Sequence, residues 1–235
     1  SFDLMKDDLI LLVGLLAILN FVTLVTTVQY TRYVLPAVPF LLIWGSQSAR
    51  FFSRRVSVSS FAVAGCLGWS ILSCLWVYPH CGSYFNLVGG GPLNGHRHMI
   101  ESSIDWGQDL QYLRKWLDDH PDSRPLNFAY FGRIDPRFAG IEFQLSPSLK
   151  NASRGNGAII PEPGRYAVSV SLLHGFPWSI HDGEGGRLFV GQPQGEFDAF
   201  QHLKPVGRAG YSIYIYHVTN SDYGNLLGQD RPHDE

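Results

Sequence analysis

The chain has 235 residues, 45% of them hydrophobic, and its 18 Lys and Arg against 20 Asp and Glu give a formal net charge of −2. This balance, without a basic stripe interleaved with aromatic residues, argues against nucleic acid as a partner. The mean hydropathy of −0.01 would suit a water-soluble protein. Because the long apolar stretches all precede residue 79, however, the average combines two unlike parts.

Three apolar stretches lie in residues 1–78. Residues 9–30 and 56–78 contain no ionised side chain, and each is long enough to cross a bilayer core, which needs about 20 helical residues. Residues 33–49 are also uncharged but shorter, and two prolines interrupt them. A signal peptide has an apolar core of only about 7–15 residues, and a soluble helical bundle would show a polar face. We therefore expect three transmembrane helices.

The cationic residues predict how these helices are oriented. Arg50, Arg54 and Arg55 lie in the short turn between the second and third stretches, and short loops with positive charge favour the cytoplasmic side. Trp76 then suits the outer interface of the membrane. Residues 79–235 are accordingly expected to lie outside the cytoplasm, in a multi-pass protein of the inner or plasma membrane.

Arg32 is a permanent cation at the outer mouth of a helix whose entry is kinked by Pro36 and Pro39. Its side chain could contact a phosphate group. It could equally be an anchor whose apolar stem lies in the membrane while the guanidinium reaches the interface.

The remainder, residues 79–235, reads as a small α/β domain. Apolar residues repeat at helical spacing within 110–117, and Pro121 ends that segment. Strand patterns follow, separated by turns rich in Gly and Pro, at residues 126–131, 166–172 and 211–217.

Two carboxylates stand at the start of the predicted helix. Asp105 is followed three residues later by Gln108, which is a capping-box pattern. Asp109 would lie in the first turn, where the helix dipole favours a negative charge. Capping explains both residues, and together with the neighbouring Trp106 they also remain candidates for an acceptor-binding site or another site of this domain.

Other polar residues give weaker signals. His174, His181 and Asp182 have side chains that can bind metals, but their loop spacing fixes no geometry, so we predict no metal site. His96 and His98 flank an arginine and are expected to form a solvated or headgroup-facing patch. Nucleotide-binding fingerprints are absent from the sequence, and we expect no cofactor. Residues 79–235 contain a single cysteine, which excludes a disulfide within them.

Several segments carry a resemblance to a known family. Residues 32–40 resemble the Arg-Tyr-x-x-Pro-x-x-Pro segment of the dolichyl-phosphate-mannose protein mannosyltransferase superfamily, a group of polyprenyl-phosphate-dependent membrane glycosyltransferases of the GT-C type. Three later segments resemble the region that closes many bacterial members, namely Tyr84-Phe85-Asn86, Gly89-Gly90-Gly91-Pro92 and Ser102-Ser103-Ile104-Asp105-Trp106-Gly107-Gln108-Asp109-Leu110. The resemblance spans nearly the whole chain.

This resemblance implies an enzyme that transfers a sugar from a polyprenyl-phosphate carrier to a glycan or protein acceptor outside the cytoplasm. Arg32 and Tyr33 would then contact the lipid phosphate. The family is expected to have roughly a dozen membrane helices and a catalytic carboxylate on an early outer loop. No residue here matches that carboxylate, so the catalytic residue stays unassigned, and the chain resembles the C-terminal portion of such an enzyme.

A second class of function is also compatible with the sequence. The chain could be a non-catalytic, membrane-anchored module whose outer domain binds a glycan or a partner protein. Further apolar helices and an early outer-loop acid encoded upstream of Ser1 would favour the enzyme, whereas an immediate start codon would favour the module.

Overall fold

A computed structural model describes residues 2–25, 31–47, 49, 58–152, 159–190 and 195–229. The chain divides into two compact units, Ser1–Trp76 and Val77–Glu235. Arg50, Arg54 and Arg55, on which the predicted orientation depends, lie outside the described residues.

Helices make up the described part of the N-terminal unit. They are α1 (Phe2–Val25), a 3-10 helix (Thr31–Ala37), α2 (Val38–Ser46) and α3 (Val58–Val77). Within α1 and α3, the segments Lys6–Val25 and Val58–Val77 are each 20 residues long and apolar enough to cross a membrane. Most of their large apolar side chains are exposed, and the exposed fraction reaches 87% at Val58.

The third expected transmembrane helix is not confirmed. The nine residues of α2 span about 14 Å at the usual rise, well short of the roughly 30 Å of a bilayer core. Pro36 lies inside the preceding 3-10 helix, and because proline has no N–H to donate it disfavours a continuous α-helix there. The structure therefore has two candidate membrane-spanning helices in its described part.

Helix α1 has a glycine at a close contact and polar side chains that hydrogen-bond to carbonyl groups of the same helix. A Cβ at Gly14 would lie 2.5 Å from the Phe40 ring, so glycine lets α2 approach closely. The Asn20 side-chain amide donates to the Leu16 carbonyl at 2.8 Å, and the Thr23 hydroxyl donates to the Leu19 carbonyl at 2.8 Å. These polar groups therefore need no water, as expected for a helix in an apolar solvent.

The C-terminal unit has the mixed α/β structure that the sequence predicts. Its main sheet has the strand order β1-β2-β6-β5, in which only β1 and β2 are parallel, and β3 pairs with β4 in a separate hairpin. The strands are β1 (Leu126–Ala129), β2 (Gly164–Ser169), β3 (Trp178–His181), β4 (Arg187–Val190), β5 (Gly207–Ala209) and β6 (Ile213–Val218). The helices are α4 (Asp109–Asp119), α5 (Pro147–Ala152), α6 (Val170–Leu173), α7 (Asp198–Gln201) and α8 (Asn220–Gln229).

Each face of this sheet has its own apolar core because side chains alternate along the strands. Leu110, Leu113 and Leu117 of α4 pack with Ile213 and Ile215 of β6 on one face. The other core lies among β2, β6, the β3–β4 hairpin and α7, and includes Tyr166, Val168, Phe200 and Tyr216.

The predicted strand at residues 166–172 is too long by three residues. β2 ends at Ser169, and Val170–Leu173 forms the short helix α6. The Ser169 hydroxyl accepts a hydrogen bond from the Phe131 amide at 2.9 Å, and the Val170 amide donates to the Ser212 carbonyl at 2.7 Å. These bonds to residues distant in sequence end the strand at Ser169. The alternation of apolar residues within 166–172 cannot predict them because the partners lie outside that segment.

Candidate functional site

The segment that joins α3 to α4 is irregular and carries most of the residues singled out in the sequence. One hydroxyl group bonds it to the rest of the C-terminal unit, and a second joins two of its own residues. The Glu101 amide donates to the Ser171 hydroxyl at 2.9 Å, just beyond the end of β2. The Ser83 hydroxyl donates to the Ile104 carbonyl at 2.8 Å and thereby closes the segment on itself.

Asp105 is not the N-cap of α4, so the capping-box prediction is wrong. The helix begins at Asp109, and its N-cap residue, Gln108, makes no side-chain capping bond. The Asp105 carboxylate instead accepts a bond from the Gly107 amide at 2.7 Å. Gly107 has a φ of 103°, which a helix does not allow, and this turn moves the N-cap by three residues, from Asp105 to Gln108.

Gln108 closes the same turn from both sides. Its side-chain oxygen accepts a bond from the Trp106 amide at 2.7 Å, and its side-chain nitrogen donates to the Ile104 carbonyl at 2.8 Å. A Cβ at Gly107 would lie 2.8 Å from the Ile134 side chain. The Asp-Trp-Gly-Gln segment therefore forms a tight turn that buries Asp105 and leaves Trp106 68% exposed.

Asp109 is fully buried, so it is more than a first-turn carboxylate at the helix surface. One of its oxygens accepts bonds from the Tyr211 amide at 3.0 Å, the Ser212 amide at 2.9 Å and the Ser212 hydroxyl at 2.7 Å. A Cβ at Gly210 would overlap the carboxylate. The start of α4 is thus bonded to the turn between β5 and β6.

Asp105 and Asp109 meet in the interior together with Tyr130. Burial, with the charge of Asp109 as a smaller cause, raises the pKa of Asp105 from its ordinary value of 3.8 to about 6, although the Gly107 amide opposes the change. Burial and the nearby Asp105 charge raise the pKa of the Tyr130 hydroxyl as well. In the described part of the chain, one oxygen of each carboxylate and the Tyr130 hydroxyl have no hydrogen-bond partner.

His80 connects this buried group to the surface. Its Nδ1 atom lies 3.7 Å from the second Asp109 oxygen, slightly beyond hydrogen-bond length. Its ring is 4.2 Å from the Tyr112 ring and meets the Tyr211 ring edge-on at 5.1 Å, measured between centroids. His80 lies in no recognisable motif and reaches Asp109 only through the fold, so the sequence alone does not mark it as a site residue.

A groove of about 400 Å³ opens above His80. It combines aromatic rings with cations and one carboxylate, and its lining includes His80, Tyr112, Trp116, Tyr211, Lys115, Arg208 and Asp119. Trp116 stacks on His120 with a centroid separation of 4.2 Å, which holds its indole ring in place. A sugar offers an apolar ring face and several hydroxyl groups, and such a lining can meet both.

A histidine backed by a buried carboxylate can also exchange protons with a ligand. In such a pair the carboxylate can accept a hydrogen bond from the imidazole, and such bonds are often long until ligand is bound. The 3.7 Å separation of His80 and Asp109 is compatible with that role.

The remaining candidates are dispersed. His181 lies 3.7 Å from Asp135, and Asp182 accepts three backbone amides of its own loop. His174 stacks on His96 instead. No group of three potential metal ligands occurs in the described parts of the chain.

Arg32 and Tyr33 belong to the N-terminal unit, where both are in the 3-10 helix Thr31–Ala37. The side chain of Arg32 lies outside the described residues, and Tyr33 is 38% exposed. The contact of these residues with a lipid phosphate stays a prediction.

Comparison with known proteins found no match to a family model, a curated protein or a solved structure.

Proposed function

We propose that this chain is part of an integral-membrane glycosyltransferase that moves a sugar from a polyprenyl-phosphate carrier to an acceptor outside the cytoplasm, and that the groove above His80 holds the glycan part of a substrate. The observation that carries the proposal is the composition of that groove. Three aromatic rings, two cations, a carboxylate and His80 line one depression, and the buried Asp109 lies 3.7 Å behind His80. This set can stack on a sugar ring and hydrogen-bond its hydroxyl groups.

The N-terminal unit supports a membrane location. Two 20-residue apolar helices with largely exposed side chains are the form that a bilayer would stabilise. The resemblance of residues 32–40 to the polyprenyl-phosphate enzymes adds a reason to expect a lipid-linked donor. In this proposal Arg32 and Tyr33 contact the lipid phosphate.

A binding module without transfer activity is the second candidate, and the same groove favours it. Aromatic and charged side chains recognise a glycan in either case, so the composition of the groove does not separate an enzyme from a module. The two functions differ in whether a donor sugar is consumed.

The test uses membrane vesicles that contain the full gene product and a radiolabelled sugar on a polyprenyl-phosphate carrier. We expect label to move into the acceptor fraction. His80→Gln should reduce turnover by about a hundredfold if His80 exchanges a proton with substrate. His202→Gln, which changes an exposed histidine that is not part of the groove lining, is the matched control and should transfer at the unchanged rate.

Arg32 is tested in the same vesicles. Arg32→Gln should lower turnover by about a hundredfold, because a lost cation no longer stabilises the departing phosphate, and Arg32→Lys should recover only part of the rate. If Arg32 is only an anchor, lysine will replace it fully and glutamine will lower the amount of inserted protein instead.

The label also separates the two candidate functions. Glycan binding without any label transfer would reject the enzyme and support the module.

A further inference from the structure

Two histidine rings stack on each other in the C-terminal unit. His96 lies in the 3-10 helix Pro92–Arg97, and His174 follows α6 directly. Their ring centroids are 4.8 Å apart and the planes differ by only 18°. His96 is partly buried and His174 is exposed, so a ligand can reach the pair from solvent.

The backbone around His96 is held in place. A Cβ at Gly95 would overlap the Phe85 ring, so this turn packs closely on an aromatic side chain. His98, on the other side of Arg97, bonds through Nε2 to the Gly89 carbonyl at 2.9 Å. The turn therefore holds His96 beside His174 through packing on both sides.

Two arginines accompany the stacked pair. Arg97 is next to His96 in the chain, and its charge acts on both rings. Arg208 of β5 lies 4.7 Å from the Tyr214 ring centroid, and His96 meets that same ring edge-on at 6.4 Å. None of the ion pairs in the described part of the chain includes Arg97 or Arg208.

The cluster therefore carries positive charge that carboxylates do not balance. Burial lowers the pKa of His96, and the charges of His174, Arg97 and Arg208 lower it further. Burial and Arg97 lower the pKa of His174 in the same way. Bringing the charges of two arginines close to two imidazoles costs free energy, and an anion that accepts hydrogen bonds from several directions would offset this cost.

We propose that His96, His174, Arg97 and Arg208 form a binding site for a phosphate group. A phosphate presents at least three acceptor oxygens in a tetrahedral arrangement, which suits two guanidinium groups and two imidazoles better than a planar carboxylate does. The phosphate could be free or the monoester head of a lipid, and the chemistry of recognition is the same. This site does not depend on the proposed sugar transfer, although Arg208 also borders the groove.

The test follows the imidazole signals by nuclear magnetic resonance in the full chain, labelled in its histidines and kept in an uncharged detergent. Inorganic phosphate is added at constant ionic strength. We expect the His96 and His174 signals to shift with saturation, and their pKa values to rise because the anion favours the charged imidazoles. In a parallel arm, nanodiscs of neutral lipid with and without phosphatidic acid show whether a lipid phosphate produces the same shifts.

Variants decide whether the arginines form the site. Combining Arg97→Gln with Arg208→Gln should weaken phosphate binding by at least about tenfold, whereas His202→Gln should leave it unchanged. The His120 signal, which reports the stacking of that ring on Trp116, shows whether the double variant is folded. Should that variant unfold, Arg208→Lys, which keeps the charge, replaces it and should retain part of the affinity. The proposal would be overturned if chloride shifted the His96 and His174 signals as much as phosphate does, or if the shifts did not saturate in either arm. It would also be overturned if the folded double variant bound phosphate as tightly as the natural protein.

Discussion

At the scale of single residues, the two carboxylates of the Asp-Trp-Gly-Gln-Asp segment show what a local pattern can and cannot reveal. The spacing of Asp105 and Gln108 fits a helix cap, but the positive φ of Gly107 makes a turn there. Asp109 lies in the first turn of α4 as expected. Its bonds to Tyr211 and Ser212 span more than a hundred residues, and a sequence pattern confined to 105–110 does not contain that information.

Asp105 provides a prediction about pH. Its carboxyl has an ordinary pKa of 3.8 when the chain is unfolded and about 6 when folded, so between these values the folded state binds more protons and stability falls as pH rises. Asp105→Asn stays neutral in both states. The variant should therefore exceed the natural protein in unfolding free energy by about 3 kcal/mol above pH 6, and by little below pH 3.8.

Urea unfolding of the full chain in detergent at both pH values measures this difference. Asp119→Asn, in an exposed position, is the control and should change the unfolding free energy by less than about 0.5 kcal/mol. A loss of about 1 kcal/mol at both pH values, as for an N-cap, would contradict the assigned role of Asp105.

At the scale of elements, apolar periodicity predicts those elements whose facing residues recur at a fixed spacing. The leucines of α4 are recovered because they all face one core, and Ile213 and Ile215 of β6 are recovered because they face that core in alternation with residues that face the other. The strands β3, β4 and β5 were not predicted. They have three or four residues each, and β4 is partly exposed, so their pairing depends on contacts distant in sequence more than on local pattern.

The contact between α4 and the β5–β6 turn predicts a strong effect at Gly210. Gly210→Ala would place a methyl group against the Asp109 carboxylate and break its bonds to Tyr211 and Ser212. We expect a loss of about 3 kcal/mol in unfolding free energy. Gly175→Ala is the matched control, because it has a similar positive φ but open space around the new methyl group.

The control should lose only about 1 kcal/mol, the cost of a left-handed backbone for alanine. Thermal or urea unfolding of both variants gives the comparison. Equal losses in the two variants would mean that the Asp109 contact contributes nothing beyond backbone strain.

At the scale of the whole molecule, the sequence separates an apolar part from an α/β part, and the structure has two compact units. Hydropathy identified α1 and α3 because a long uncharged run is a strong signal. It did not resolve α2, since composition alone does not measure how far two prolines shorten a helix.

The orientation in the membrane is tested by cysteine labelling in intact cells. In a background without Cys66, Cys74 and Cys81, a cysteine at Ser53 should be protected from a membrane-impermeant thiol reagent, because the arginines around it favour the cytoplasmic side. A cysteine at Asp230 should react. Both positions lie outside the described residues. The reverse pattern of labelling would place the C-terminal unit in the cytoplasm and reject the proposed location.

The position of β6 in the sheet has a consequence for biosynthesis. Residues 213–218 pair with β2 on one side and with β5 on the other, so the strand that joins the two sides of the sheet is synthesised after both of its partners. Until the ribosome has released these residues and they have reached the compartment where the unit folds, the edges of β2 and β5 lack their partner and the Asp109 carboxylate lacks its donors. A chaperone that shields exposed strand edges would therefore act on this unit during the interval between the emergence of β2 and that of β6.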